Sequence, residues 1–530
     1  MTTHTKLHKA ARLSDLADNG MKRIEANGTP ILLIRRGNAV HAYSADCPHA
    51  GAPLEQGALC DGRVVCPWHK GTFDIATGAL VEPPALLPLT RYPVRIEHGD
   101  VLVGSTPEPL QKTTATAADM RTFAIVGAGA AGAAACAALR EAGFAGRIAL
   151  IDREPRTPYD RTVLSKFVPS GEMPVDDIPP LLPDDFFATH GIDRIQAEVT
   201  TLDAKARRID IGSAPSIHYD AALVATGGIP KRLSLQGSEA NDVKPRIRLL
   251  RDRDDARRLV ETAAQDERTG GQAGKHALVL GAGFIGLEVA SALRERKLRV
   301  TVVSPGNVPF EKQFGPELGR LFMRLHEAHG VKVRMGRHAR AVERGDTEGA
   351  LRVTLDNGDT VSCDFIVAGI GVTPATDFLE GVVRNDDKSV NVDTSMRVTD
   401  GLYAAGDIAR FELQAPVSER VRIEHWRVAQ QHARIAAHAM LGMPPKEPLV
   451  PFFWTYHFGK TFEYLGHAKH WDEMRFTGTP DTFEFIALLG EKGKLVAALG
   501  CNREKQTAML VEALRRPLSL ADAAKIAESP

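Results

Sequence analysis

The chain has 530 residues, 43% hydrophobic and 25% charged, close to the soluble globular average, which excludes a disordered or fibrous protein. At ~150 residues per domain, the length accommodates about three or four domains. Sixty-six Lys and Arg offset sixty-six Asp and Glu, so net charge leaves no footprint for nucleic acid or anionic lipid, and six cysteines are too sparse for a disulfide scaffold.

The amino terminus, MTTHTKLHKAARLSDL, lacks the apolar core of a secretory signal, so a cytoplasmic address without membrane association is expected. Residues 1–105 carry short β-rich runs (ILLIRR, AVHAYS, RVVC, YPVRIEHGDVLVG) between Gly, Asn and Asp turns, which predicts a small antiparallel β domain. The polar, Pro- and Thr-bearing stretch 106–120 reads as a linker.

From Arg121 the pattern becomes strand, glycine turn, helix, strand, and it occurs twice: FAIVGAGAAGAAACAALREAGFAGRIALID, then HALVLGAGFIGLEVASALRERKLRVTVVS. Two α/β Rossmann-like nucleotide-binding units are expected, the first over 121–245 and 371–446, split around the second at 246–370. The run RDRDDARR, Arg251 to Arg258, reads as a solvated helix face. Residues 447–530 mix aromatic strands with closing helices, an α+β pattern.

Cys47-Pro-His49 and Cys66-Pro-Trp-His69 place two thiolates and two imidazoles in one β domain. That donor set suits a tetrahedral zinc ion or a 2Fe-2S cluster with histidines on one iron. Zinc fingers of the Cys2His2 class keep both cysteines ahead of both histidines, whereas here each loop supplies one of each, which lets one iron collect the thiolates and the other the imidazoles. CPHAGAPLEQG followed by VVCPWHKGTFDIATG resembles the cluster-binding loops of the Rieske family, ferredoxin type, over roughly Leu13 to Gly104. The resemblance implies Cys47 and Cys66 on the inner iron and His49 and His69 on the outer one. The cysteine staple of the respiratory members is replaced by Ala52 and Trp68, and their Ser and Tyr hydroxyls by Gly71 and Phe73. Fewer hydrogen bonds to sulfur put the potential near the low end of the roughly −150 to +300 mV Rieske range. Lys70 departs from the glycine often found there and reads equally well as a plain surface residue or as one that raises the potential slightly or docks a partner. Cys60 has no partner by this template and reads as a small buried hydrophobe.

Gly127, Gly129 and Gly132 follow an apolar strand and open an Ala-rich helix, the context that makes a G-x-G-x-x-G match specific. The first glycine serves the tight turn, the second the approach of a pyrophosphate, and the third helix–strand packing. Asp152 ends the next strand, where a carboxylate binds a ribose. Gly281, Gly283 and Gly286 repeat the fingerprint, but their second strand ends in Ser304, which suits either a free hydroxyl or a 2′-phosphate and leaves NADH and NADPH open.

Both fingerprints, ATGGIP (Ala225 to Pro230), GLYAAGD ending at Asp407, and the run Glu424 to Trp426 resemble the pyridine-nucleotide flavin reductases, in the branch of ferredoxin reductases and apoptosis-inducing factors. The resemblance implies FAD in the first unit and NAD(P)H in the second. It places Asp407 at the ribityl chain, Trp426 along the isoalloxazine, Glu198 and Val199 at the adenine, and Arg161 and Lys166 at the flavin, with Lys166 paired to Glu288 beside its reactive edge. PYDRTVLSK (Pro158 to Lys166) stands where disulfide reductases carry their dithiol. Cys136, Cys363 and Cys501 read as buried packing. Trp454 and Tyr456 read as core aromatics or as residues approaching the flavin.

Hydride gives two electrons and a 2Fe-2S cluster takes one, so a flavin must stand between them. The expected function is an NAD(P)H-dependent flavoprotein oxidoreductase that passes electrons to its own Rieske cluster and on to a redox protein, such as a ferredoxin or oxygenase component, or to a small-molecule acceptor. The alternatives are a low-turnover redox signalling protein of the apoptosis-inducing-factor kind, or a direct quinone and small-oxidant reductase with a regulatory Rieske domain. A terminal oxygenase would need a mononuclear iron domain that this chain has no room for. Analogy suggests a homodimer.

Overall fold

The computed structural model describes residues 7–109, 119–264, 275–347, 349–413, 419–444 and 448–529. Most of the expected linker, 110–118, lies outside them.

The amino-terminal region is built of small antiparallel sheets. Met21–Ala26, Thr29–Arg36 and Ala39–Ser44 form one, and Leu7–Arg12, Asp100–Gly104 and Val94–Glu97 another. Alternation along these strands puts Leu32, Ile34 and Tyr43 in one apolar cluster and Ile31, Leu33 and Ala42 in a second, as a period of two requires. A third sheet of Ala58–Cys60, Arg63–Val65, Thr72–Asp74 and Leu80–Glu82 carries the second Cys/His loop at the turn between Val65 and Thr72.

The first nucleotide unit has a six-stranded sheet in the order Ile192–Gln196, Arg147–Asp152, Thr122–Val126, Ala221–Val224, Leu402–Ala404, Arg397–Thr399. Its central strands run parallel, and Leu402–Ala404, from far downstream, pairs directly with Ala221–Val224. The second unit's sheet takes Ile247–Arg248, Phe365–Ala368, His276–Leu280, Arg299–Ser304 and Lys332–Met335, all parallel. In both, an apolar strand turns through the glycines into a helix, Ala130–Glu141 or Phe284–Glu295. Strands buried on both faces read as continuous apolar runs, which is why FAIV and ALVL carry no alternation.

The carboxyl-terminal region is an antiparallel sheet, Phe452–His457, Lys460–Gly466, Lys494–Cys501, Glu484–Glu491, Glu473–Thr479, covered by helices Glu504–Ala513 and Leu520–Ala527. Its apolar face continues the second nucleotide unit's core, with Phe453 and Phe462 joining Phe314 and Phe322. Its other face shares a cluster with Ala58 and Val65 of the amino-terminal region. Among the described residues no helix is long and apolar enough to cross a membrane.

Candidate functional site

Cys47 and Cys66 are buried side by side with their thiols in hydrogen-bond contact. The N–H groups of His49 and Ala50 donate to the Cys47 sulfur, and those of Trp68 and His69 to the Cys66 sulfur. The hydrogen bond to Cys66 and burial push the Cys47 thiol up. Burial alone would push Cys66 up too, but its hydrogen bonds hold it below the usual thiol value. Nearby, His49 Nδ1 and His69 Nδ1 face one another at 3.1 Å, and burial keeps both imidazoles neutral, the form a metal ligand needs. His49 Nε2 is buried without a hydrogen-bond partner among the described residues and lies 3.9 Å from Asp160 Oδ2. Among the described residues, no three His, Cys, Asp or Glu side chains converge as ligands for a single metal ion would. Two thiols with amide donors to sulfur, beside two neutral imidazoles converging on their Nδ1 atoms, suit a cluster that takes two ligands per iron.

The first fingerprint has the geometry its glycines imply. Gly127 has φ +103°, and a Cβ there would meet Ala225 O at 2.5 Å; at Gly132 it would lie 1.9 Å from Gly127 O. At Gly129 it would meet nothing within 4 Å, which leaves open space in front of the helix N-terminus, where a pyrophosphate binds. Gly281, Gly283 and Gly286 repeat this pattern.

A cavity of about 520 Å³ opens from the first fingerprint. Asp152, Arg161, Lys166, Val199, Glu288, Asp407 and Trp426 all line it, together with Glu198 and Phe284. Asp152 Oδ2 accepts the Ala128 N–H, so one of its oxygens is held by the glycine loop. Arg161 is tied to Glu154 at 2.6 Å. Trp426 starts the helix Trp426–Met440, its indole Nε1 buried without a partner among the described residues. A glycine cradle with open space before it and aromatic side chains among the walls fit a flavin dinucleotide. Ser304 lies elsewhere, buried at the tip of the second sheet with its carbonyl accepting the Arg337 N–H at 3.1 Å.

Lys166 Nζ is 3.0 Å from Glu288 Oε2, with both side chains less than a tenth exposed, so the pair is buried rather than a surface contact. Glu288 also accepts from Ser165 Oγ at 2.5 Å and Thr455 Oγ1 at 2.6 Å. Thr455 continues to His457 at 2.9 Å, and His457 to His326 at 3.3 Å.

Three readings from the sequence change. Arg251, taken as part of a solvated face, lines the flavin-sized cavity, with Nη1 3.8 Å from Asp407 Oδ2. Arg253 covers the Tyr159 ring, while Arg257 and Arg258 do face solvent. The run mixes half-buried and exposed charges because the cavity reaches the start of the helix, which a charge pattern cannot reveal. Lys70 is fully buried rather than on the surface, 2.6 Å from Glu463; burial pushes Glu463 up to about 7 although Lys70 pulls it down. Cys60 is half-buried, against the carboxyl-terminal core. Cys136, Cys363 and Cys501 are buried.

Sequence reasoning left Trp454 undecided, and Glu154 and His425 unnamed. Trp454 lines the flavin-sized cavity and also a second cavity that holds His49 and His69. The centroids of His69 and Trp454 are 4.1 Å apart. A polar interface holds the two regions together. Arg427 donates to Pro83 O and Lys70 O, Gln431 to Glu82, and Arg434 to Leu80 O, while Arg63 pairs with Glu512 and Arg515 with Glu82.

Residues 121–433 match the family model described as pyridine nucleotide-disulphide oxidoreductase, and residues 6–93 that of the Rieske [2Fe-2S] domain. The chain is 32% identical to human apoptosis-inducing factor 3, over 95% of this chain and 83% of that protein. It is 30% identical to the rubredoxin-NAD(+) reductase of Pseudomonas putida, over 74% of this chain and 99% of that protein. The ferredoxin reductase for the CYP199A2 system from Rhodopseudomonas palustris superposes with a TM-score of 0.67 at 28% identity, over 76% of this chain and 97% of that one. The chain therefore belongs to the pyridine nucleotide-disulphide oxidoreductase family, as an NAD(P)H-dependent flavoenzyme with FAD and an amino-terminal Rieske 2Fe-2S domain.

Proposed function

We propose that this enzyme passes electrons from NAD(P)H through FAD to its own Rieske cluster and on to an external acceptor such as a ferredoxin or an oxygenase component. When bound, FAD takes the two electrons of a hydride and the 2Fe-2S cluster takes electrons singly. Overall, one NAD(P)H yields NAD(P)+, one proton and two reduced one-electron acceptors. The reading rests above all on Trp454, which borders the flavin-sized cavity and also packs against the His69 ring, tilted at 39° to it. The similarity to a rubredoxin-NAD(+) reductase and to the ferredoxin reductase for the CYP199A2 system supports the acceptor class.

In this reading Cys47 and Cys66 hold the inner iron, His49 and His69 the outer. Gly127, Gly129 and Gly132 cradle the FAD pyrophosphate; Asp152 orders the glycine loop at the ribose end, and Val199 meets the adenine. Asp407, with Arg251 beside it, binds the ribityl chain, while Arg161 and Trp426 border the ring. Lys166 would present a cation where negative charge collects on the ring as it is reduced, and Glu288, itself held by Ser165 and Thr455, fixes that cation in place. Gly281, Gly283, Gly286 and Ser304 take NAD(P)H. The proposed domains are 1–105 for the Rieske module, 121–245 with 371–446 for FAD, 246–370 for NAD(P)H, and 447–530 for the closing α+β unit.

Anaerobic stopped-flow mixing with NADH and with NADPH, following flavin and cluster absorbance separately, tests the route. Flavin bleaching followed by cluster bleaching is expected, and replacing His49 or His69 abolishes reduction of a protein acceptor. Unchanged acceptor reduction in those variants refutes the route. The similarity to apoptosis-inducing factor 3 over nearly the whole chain carries a second reading, a redox signalling protein of low turnover, which slow cluster reduction in the same experiment would favour.

A further inference from the structure

Lys70 combines two unfavourable features. Its backbone lies at φ +58°, a left-handed conformation that lysine tolerates less well than glycine, and its ammonium is wholly buried, which is costly unless paired and hydrogen-bonded. The pairing comes from across the interface. Nζ lies 2.6 Å from Glu463 Oε1 and 3.2 Å from Glu504 O, and also donates to Pro67 O of its own loop. The other Glu463 oxygen accepts from Thr507 Oγ1 at 2.5 Å. The Lys70 carbonyl in turn accepts from Arg427, itself fully buried. A single residue of the cluster loop thus reaches strand Lys460–Gly466, helix Glu504–Ala513 and helix Trp426–Met440.

The register gives this grip a direction. Trp454 and Glu463 are directly opposite one another in the antiparallel pair Phe452–His457 and Lys460–Gly466, and side chains opposite one another lie on the same face of the sheet. Consecutive loop residues therefore seize facing points of one hairpin: His69 packs on Trp454, and Lys70 bonds Glu463. We infer that Lys70 is a positioning residue for electron transfer, a key that seats the Rieske module on the reductase so that His69 stays on Trp454. The inference rests on the electron route proposed above and adds that the contact is permanently held rather than made by an arriving module.

The test uses the full-length holoenzyme, with FAD and cluster content measured, under anaerobic stopped flow with the more effective nicotinamide donor. Lys70→Met should leave flavin reduction within about twofold of wild type and slow the following cluster reduction at least tenfold. The double variant Lys70→Met/Glu463→Met removes the stranded carboxylate, so it should regain the wild-type melting temperature while cluster reduction stays slow. Thr507→Val removes one hydrogen bond to Glu463 and should slow cluster reduction by an intermediate factor; it serves also if Lys70→Met does not accumulate as a folded protein. Wild-type rates of cluster reduction in Lys70→Met or in Thr507→Val overturn the inference. So does a double variant whose rate recovers together with its stability, since Lys70 would then be a structural residue only. A wild-type enzyme whose cluster is never reduced after its flavin overturns the electron route itself, a result visible without any variant.

Discussion

Lys166→Met tests the chemistry proposed at the flavin most directly. Nζ and Glu288 Oε2 are 3.0 Å apart and both groups are buried, so at an effective dielectric of ~20 their Coulomb attraction is about 5.5 kcal/mol before desolvation is subtracted. Removing one member of a buried pair costs roughly 3–5 kcal/mol because the other charge is stranded. Glu288 keeps its hydrogen bonds from Ser165 and Thr455, which places the loss at the lower end, about 3 kcal/mol. If the cation also stabilises charge developing on the ring, a similar loss at the transition state slows hydride transfer about a hundredfold. Melting temperature with bound FAD reads the first effect, and single-turnover flavin bleaching under anaerobic conditions the second. Lys166→Met/Glu288→Leu should recover stability and remain slow. A Lys166→Met enzyme that binds FAD, melts with wild type and accepts hydride within threefold of its rate would show that the pair serves neither purpose.

Burial holds His425, His432 and His457 near a pKa of about 3, well below the ordinary 6.5. Their folded values lie below the unfolded one, so their contribution is complete above about pH 6.5 and is lost as pH falls towards 3, at up to roughly 1.4 kcal/mol per pH unit for each. Melting temperature should therefore drop steeply between pH 6.5 and 5, and His432→Asn should flatten that slope; an unchanged slope refutes the assignment. Gly132→Val puts a Cβ 1.9 Å from the Gly127 carbonyl oxygen, a backbone atom with no room to give, so the variant is expected to purify without flavin absorbance, and full FAD occupancy would contradict the cradle.

Motifs whose chemistry depends on neighbours in sequence were legible without coordinates. The paired Cys-x-His and Cys-x-x-His loops and the two glycine fingerprints are local constellations: a few residues of backbone set both the turn and the donors, although the Cβ that Gly127 excludes would meet the distant Ala225 carbonyl while the one that Gly132 excludes would meet the nearby Gly127 carbonyl. The Lys166–Glu288 pair was legible only through resemblance, since 122 residues separate the two and nothing in either segment alone points to the other.

The rest belongs to tertiary structure. Whether Arg251 faces water or a cavity depends on Asp407, far along the chain, and its mixed-charge run looks the same either way. Lys70 stays undecided between a plain surface residue and one that tunes the cluster or docks a partner until Glu463 is brought to it, because lysine carries no sequence mark of a distant buried partner. Trp454 is an ordinary strand aromatic until the Rieske loop lays His69 against it and the nucleotide fold opens a cavity that it borders. Which redox groups this protein carries can be read along the chain, since their ligands lie in short motifs. How the candidate sites for those groups adjoin emerges with the fold, because it follows from packing between surfaces that share no sequence neighbourhood.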